Sequence, residues 1–170
     1  MTAYVALLRG VNVGGRQLKM TDLKAMADQL GYDRPRTFIA SGNLLFAGRS
    51  GEALIKRELE AALKDHFGKP VEVMVRTAEE MSAVAAANPF ADQPGNRVVA
   101  IFFDEPQSDE AIATARNVDE ERLALGNREI YVHFPSGRGR SKLKLGGQAS
   151  GTARNMNTVA RLAELARDME

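Results

Sequence analysis

The sequence predicts an α+β fold: an N-terminal βαββαβ unit over residues 1–76, then a second, related α+β unit over residues 77–170. Three observations carry this. Short runs rich in Val, Leu and Phe alternate with stretches whose apolar residues recur at helical spacing. Each half holds a Gly-Asn pair between two apolar runs, at Gly42–Asn43 and Gly126–Asn127, a hairpin signal because both residue types tolerate positive φ. The composition, 44% hydrophobic and 26% charged over 170 residues, is that of one ordinary globular domain or two small ones.

Ala3–Arg9 is short, apolar and followed by glycines, which predicts a strand buried on both faces. Thr21 is the expected N-cap of a helix with Leu23, Met26, Ala27 and Leu30 on one side, and Gly31 follows where a left-handed C-terminal residue is wanted. Thr37–Ala40 and Leu44–Ala47 form the two arms of a hairpin turning at Ser41, Gly42 and Asn43. Between Glu52 and Phe67, Ile55, Leu59, Ala62 and Leu63 mark one apolar face of a helix, and Gly68 and Pro70 stop it. Val71, Val73 and Val75 alternate with Glu72, Met74 and Arg76, the pattern of a strand with one core face.

This order is the ferredoxin-like one, in which the first and third strands are antiparallel neighbours. The end of the first strand then lies beside the start of the third. Arg9, Gly10 and the loop Val11–Arg16 are expected to meet Ser41, Gly42 and Asn43 at one edge of the sheet.

In the second half, Thr77 and Glu80 form a capping box before a linking helix that ends at Asn88–Pro89. Val98–Phe103 reads as a buried strand, Ser108 as the cap of a helix reaching Arg116, and Leu123–Leu125 with Arg128–Phe134 as a second hairpin. Pro135–Gly151, with five glycines and four basic residues, is unassigned, and an amphipathic helix carrying Met156, Val159, Leu162, Ala163 and Ala166 closes the chain.

Composition also excludes function classes. Without cysteine there is no disulfide, thiolate metal site or cysteine nucleophile. The longest apolar run, Val98–Phe103, is far short of the roughly 20 residues that span a bilayer. No secretory signal is recognisable, and the expectation is a cytoplasmic protein without membrane contact. His66 and His133 stand apart and form no metal set, and Ser41 has no base at motif spacing. Net charge is +1, but it is unevenly spread. Met1–Met20 holds Arg9, Arg16 and Lys19 and no acid; Arg128–Arg154 holds six cations against Glu129; Thr77–Glu121 holds ten acids against two arginines. Such asymmetry can steer an anionic partner.

Four segments, LLRGVNVGG (Leu7–Gly15), SGNLLF (Ser41–Phe46), NPF (Asn88–Phe90) and TARNMNTVARL (Thr152–Leu162), occur in the order found in a bacterial family known as domain of unknown function 1697 (DUF 1697). The chain resembles that family over essentially its whole length, with Met156 where the motif commonly carries a bulkier aromatic. The resemblance implies an α+β protein of two related subdomains and no established activity.

The candidate site is an anion pocket. Glycines 10, 14 and 15 allow close backbone approach, Arg9 and Arg16 supply planar cationic donors, and Asn12 both donates and accepts. The string is neither a Walker loop nor a dinucleotide fingerprint. Thr152, Arg154, Asn155, Asn157 and Thr158 crowd the expected start of the last helix, where unpaired N–H groups favour an anion. One reading has Arg9, Asn12, Gly14, Gly15, Ser41, Asn43, Arg154 and Asn155 hold a small phosphorylated or carboxylated molecule at the junction of the glycine-rich loop and the C-terminal helix. The alternative is a nucleic-acid-binding module using the basic 138–154 segment. A third assigns the same residues to capping and to bonds with loop carbonyls. The sequence names no cofactor, catalytic residue or oligomeric state.

Overall fold

The computed structural model describes residues 1–13, 15–146 and 150–170. The chain forms two compact units, one of Met1–Ser82 with Leu162–Glu170, the other of Ala83–Arg161.

In the first unit the chain runs β1 (Thr2–Leu8), α1 (Met20–Gln29), β2 (Asp33–Thr37), β3 (Asn43–Gly48), α2 (Glu52–Phe67) and β4 (Val73–Thr77), then enters α3 (Ala78–Ala86). The sheet order is β2-β3-β1-β4 with every neighbour antiparallel, the ferredoxin-like arrangement. Tyr4, Ala6, Leu8, Leu44, Phe46, Val73 and Val75 share one face with Leu23 and Ala27 of α1 and Ile55, Leu59 and Leu63 of α2 in a single core cluster. α2 ends as expected at Gly68, whose φ of 72° lets its N–H reach the Lys64 carbonyl.

Four expectations here need correction. α1 is not capped by Thr21: the Lys19 carbonyl accepts from Asp22 and Leu23 N–H, so the helix starts at Met20 with Thr21 inside its first turn and no side-chain cap. The second strand is Asp33–Thr37 rather than Thr37–Ala40. It sits at the sheet edge and its register shifts between Asp33 and Arg36, which accommodates Pro35. The connection to β3 therefore spans residues 38–42, longer than a two-residue turn. Finally, β4 is buried on both faces: Met74 is 0% and Arg76 1% exposed, and the Arg76 guanidinium donates to the Val75 carbonyl at 3.1 Å.

The second unit takes up the rest of α3, then β5 (Val98–Phe102), α4 (Asp109–Ala113), β6 (Arg122–Leu125), β7 (Glu129–His133), β8 (Thr152–Asn155) and the start of α5 (Met156–Arg167). Its sheet order, β6-β7-β5-β8, repeats that of the first unit strand for strand. The second crossover helix is replaced by the segment between β7 and β8, which has one 3-10 turn at Arg138–Arg140 and an isolated bridge from Lys144 to Arg116. Leu143 and Leu145 of that segment pack on the core of Val99, Phe103, Ala111, Ile130, Val132 and Phe134, where a helix face would otherwise sit.

α4 stops at Ala113, short of Arg116, because the Gly146 N–H occupies the Ala111 carbonyl at 2.9 Å and diverts the ladder. The capping box before α3 is present: the Glu80 N–H donates to Thr77 Oγ1 (3.1 Å) and the Thr77 N–H to Glu80 Oε1 (2.9 Å). The residues expected to open the last helix are instead β8, paired with β5 from Phe102↔Thr152 to Val99↔Asn155.

Candidate functional site

The two loops expected to meet do so within the first unit. β1 and β3 pair in register from Thr2↔Gly48 to Leu7↔Asn43, and the Leu8 N–H donates to the Gly42 carbonyl at 2.9 Å. The Arg9 N–H donates to the Glu72 carbonyl on the other side. Gly42 is buried with φ 89°, and a Cβ there would stand 2.5 Å from Val11 Cγ2 and 3.0 Å from Leu8 Cβ. Only glycine lets the two loops close on one another.

Asn12 is the tie between them. Its amide nitrogen donates to the Leu18 carbonyl at 3.1 Å and to the Ala40 carbonyl, and its Oδ1 accepts the Leu18 N–H at 2.8 Å. Asn43, fully buried, uses its amide on the Phe38 carbonyl and Ser41 Oγ, each at 2.9 Å. Both asparagines thus act on backbone and set loop shape. What they hold is strained: Ile39, between Phe38 and Ala40, has φ 52° although it is β-branched, and it is 50% exposed. Such a conformation costs about 1–3 kcal/mol and persists only where surrounding bonds over-determine it. Val13, beside Asn12, is 69% exposed.

Around these tips lie the cations. Arg9 and Lys19 are exposed and Arg16 is half-buried, and Val13 and Arg16 pair as an isolated bridge. Gly15 is exposed with φ 98°, and nothing would obstruct a Cβ there, so its freedom serves loop geometry. Gly14 lies outside the described residues. The first turn of α1 follows directly, with no side-chain cap and with Asp22 in it.

Arg154 and Asn155 belong to the second unit. Arg154 is not in a helical first turn: it is on β8, opposite Ala100, 6% exposed, donating to Thr152 Oγ1 at 2.7 Å and the Ala153 carbonyl at 2.9 Å. Burial, and then the Arg138 charge, pushes its pKa down to about 10. The Arg154 guanidinium therefore does not belong to a helix start, and β8 ends before α5 begins at Met156. Asn155 Oδ1 accepts the Thr158 N–H at 2.9 Å and caps α5, the role weighed against ligand binding for this motif. Sequence reasoning missed the polar face of the second sheet, where Glu129, Tyr131, His133, Thr152 and Arg154 are all buried. Glu129, Tyr131 and His133 alternate with Ile130 and Val132 along β7, and this tyrosine–histidine–glutamate row on one strand face was the available signal. The Tyr131 hydroxyl donates to the Val84 carbonyl at 2.7 Å, and the His133 ring stands 5.8 Å from Phe90.

In the basic segment, Arg140 shares a cavity of about 220 Å³ with Asp119, Glu120 and Glu121. Ser141 Oγ donates to Glu121 Oε1 at 2.7 Å and Ser136 Oγ to Glu120, so acids lie directly against the basic run. Among the described residues no group of three His, Asp or Glu side chains could hold a metal, and no helix is long and apolar enough to cross a membrane.

The conserved bacterial protein SP0830 from Streptococcus pneumoniae has a solved structure similar to this one, with a TM-score of 0.80 at 24% identity over 98% of this chain and 99% of that one. At that identity the likeness is one of fold. No curated protein matches the sequence. A family model described as protein of unknown function (DUF1697) matches residues 1–131, most of the chain and three of the four motifs set out above. On that match, the chain belongs to the DUF1697 family.

Proposed function

We propose that the chain binds a small phosphorylated or carboxylated molecule at the edge of the first unit where residues 9–19 meet residues 38–43. The observation that carries this is the meeting of an acid-free cationic loop with a neighbouring loop held in a costly conformation. Arg9, Arg16 and Lys19 belong to the 9–19 loop, and Asn12 and Asn43 lock that loop and its neighbour through five side-chain bonds. The Arg16 guanidinium and Lys19 ammonium donate to no partner among the described residues. Strain retained at Ile39 favours a working role over a merely connecting one. In this reading Arg9 and Arg16 face the anion, while Asn12, Ser41, Asn43 and Gly42 are positioning residues.

A small ligand fits better than a nucleic acid. Three cations at one loop pair match one or two anionic groups, and in the 138–144 segment the acids 119–121 offset the charge a polyanion would need. Isothermal titration with inorganic phosphate and with pyrophosphate tests the reading. Saturable binding is expected, weakened about tenfold or more by Arg16→Ala at unchanged melting temperature. Absence of saturable heat from either probe up to about 10 mM refutes it. Tight, steeply salt-dependent binding of a generic oligonucleotide in place of the small anions would favour the alternative.

A further inference from the structure

We propose that the first unit carries a second binding site, unrelated to the loop pair, that takes a free α-amino acid with an apolar side chain. The site is a cavity of about 430 Å³ at the opposite end of the sheet, where β3 leaves at Ala47–Ser50 and α1 ends at Leu30. That volume lies within the range of small-molecule sites, roughly 300–1,000 Å³. The six residues of β3 separate it from Asn43 and the loops by about 17–20 Å.

The lining joins an apolar wall to charged side chains of both signs, Asp33 and Glu58 against Arg49. Leu30, Ile55 and the ring of Tyr32 make the apolar wall. Tyr32 is 9% exposed and stacks on Phe46 with ring centres 4.2 Å apart and planes 11° from parallel, so the wall is flat and fixed. The Tyr32 hydroxyl donates to Glu58 Oε1 at 3.2 Å and so orients a carboxylate of the lining. Burial and the Glu58 charge both hold the phenol protonated, so it stays a donor. Asp33 also lines the cavity, but Arg34 pairs with it at 2.8 Å, leaving Glu58 as the available anion. Arg49 supplies the opposite charge; it is exposed, and its guanidinium has no partner among the described residues.

A purely cationic ligand would gain from Glu58 and be repelled by Arg49, and a purely anionic one the reverse. A molecule with an ammonium, a carboxylate and an apolar substituent on one carbon satisfies all three features. Its ammonium meets Glu58, its carboxylate meets the planar fork of Arg49, and its side chain lies on Leu30, Ile55 and Tyr32.

Titration of the full chain with L-phenylalanine and L-leucine, followed by calorimetry and amide NMR shifts, tests this with changes on the ligand side that leave the fold alone. Saturable binding of at least one is expected, about tenfold or more weaker for L-phenylalanine methyl ester and for N-acetyl-L-phenylalanine. Arg49→Gln, at an exposed position, should bind the free acid and the ester alike, and Arg16→Ala should change nothing. No saturable binding of either amino acid, or equal affinity for acid and ester in the unmodified protein, would overturn the proposal and leave the loop reading untouched.

Discussion

Gly42→Ala adds one methyl group to the first unit, and its cost can be worked from two separable parts. The backbone sits at φ 89°, where an L-residue loses about 1–2 kcal/mol relative to glycine. The new Cβ would lie 2.5 Å from Val11 Cγ2 and 3.0 Å from Leu8 Cβ, against an optimal carbon separation of about 3.5–4.0 Å. Val11 and Leu8 are 1% and 0% exposed, so neither can swing into solvent, and overpacking of this kind costs about 1–3 kcal/mol. Together they give a loss of about 2–5 kcal/mol, to be read from urea unfolding at constant pH. Gly10→Ala is the internal control: φ is 70° but nothing lies within 4 Å of its Cβ position, so it should show the backbone part alone. Adding Val11→Ala should recover part of the Gly42→Ala loss, a coupling visible in the double-mutant cycle. If Gly42→Ala costs no more than Gly10→Ala, or if Val11→Ala recovers nothing, the loops do not pack on each other at Gly42 and the argument for a locked edge fails.

Two further outcomes follow from strain and from burial. Ile39→Gly should leave stability unchanged or raise it by up to about 2 kcal/mol, since relief of about 1–3 kcal/mol of strain outweighs glycine's entropic cost of about 0.5–1 kcal/mol; a clear loss in chemical denaturation would show that Ile39 is not strained. Burial, and then the Glu129 charge, pushes the Tyr131 phenol up from 10.0 to about 12. Between those values the unfolded chain has released a proton the folded chain keeps, so this contribution is complete below pH 10 and declines as pH rises towards 12. The stability difference between the unmodified protein and Tyr131→Phe should therefore shrink across that window in denaturant titrations at stepped pH, and a flat difference would contradict it.

Features fixed by local pattern were legible in the sequence. α2 was readable because sixteen residues hold one apolar spacing and end on Gly68, and the capping box at Thr77 and Glu80 because its two bonds need only four residues. The meeting of the two loops followed from strand order alone. What escaped was decided by partners far away in sequence. β2 lies at Asp33–Thr37, despite Pro35 and three charged residues, because β3 offers it a register. Thr152–Asn155 looks like a helix start on local grounds and is extended because β5 has a free edge. Arg76 read as solvent-facing because an alternating strand hides whether its second face is covered. At the candidate site the residue types were visible, but their division into cations that face outward and asparagines that grip backbone needed coordinates.

The shared strand order invites a comparison of how each half finishes its interior. One sheet is roofed by two full helices; the other has a five-residue helix and two leucines offered by an irregular segment. Irregular backbone yields more readily than a hydrogen-bonded cylinder. Amide exchange should accordingly be slow beneath α1 and α2 and faster along β6 and the strand beside it. Two copies of one topological plan would then differ in stiffness, with the rigid copy holding both proposed pockets and the softer one left free to adapt.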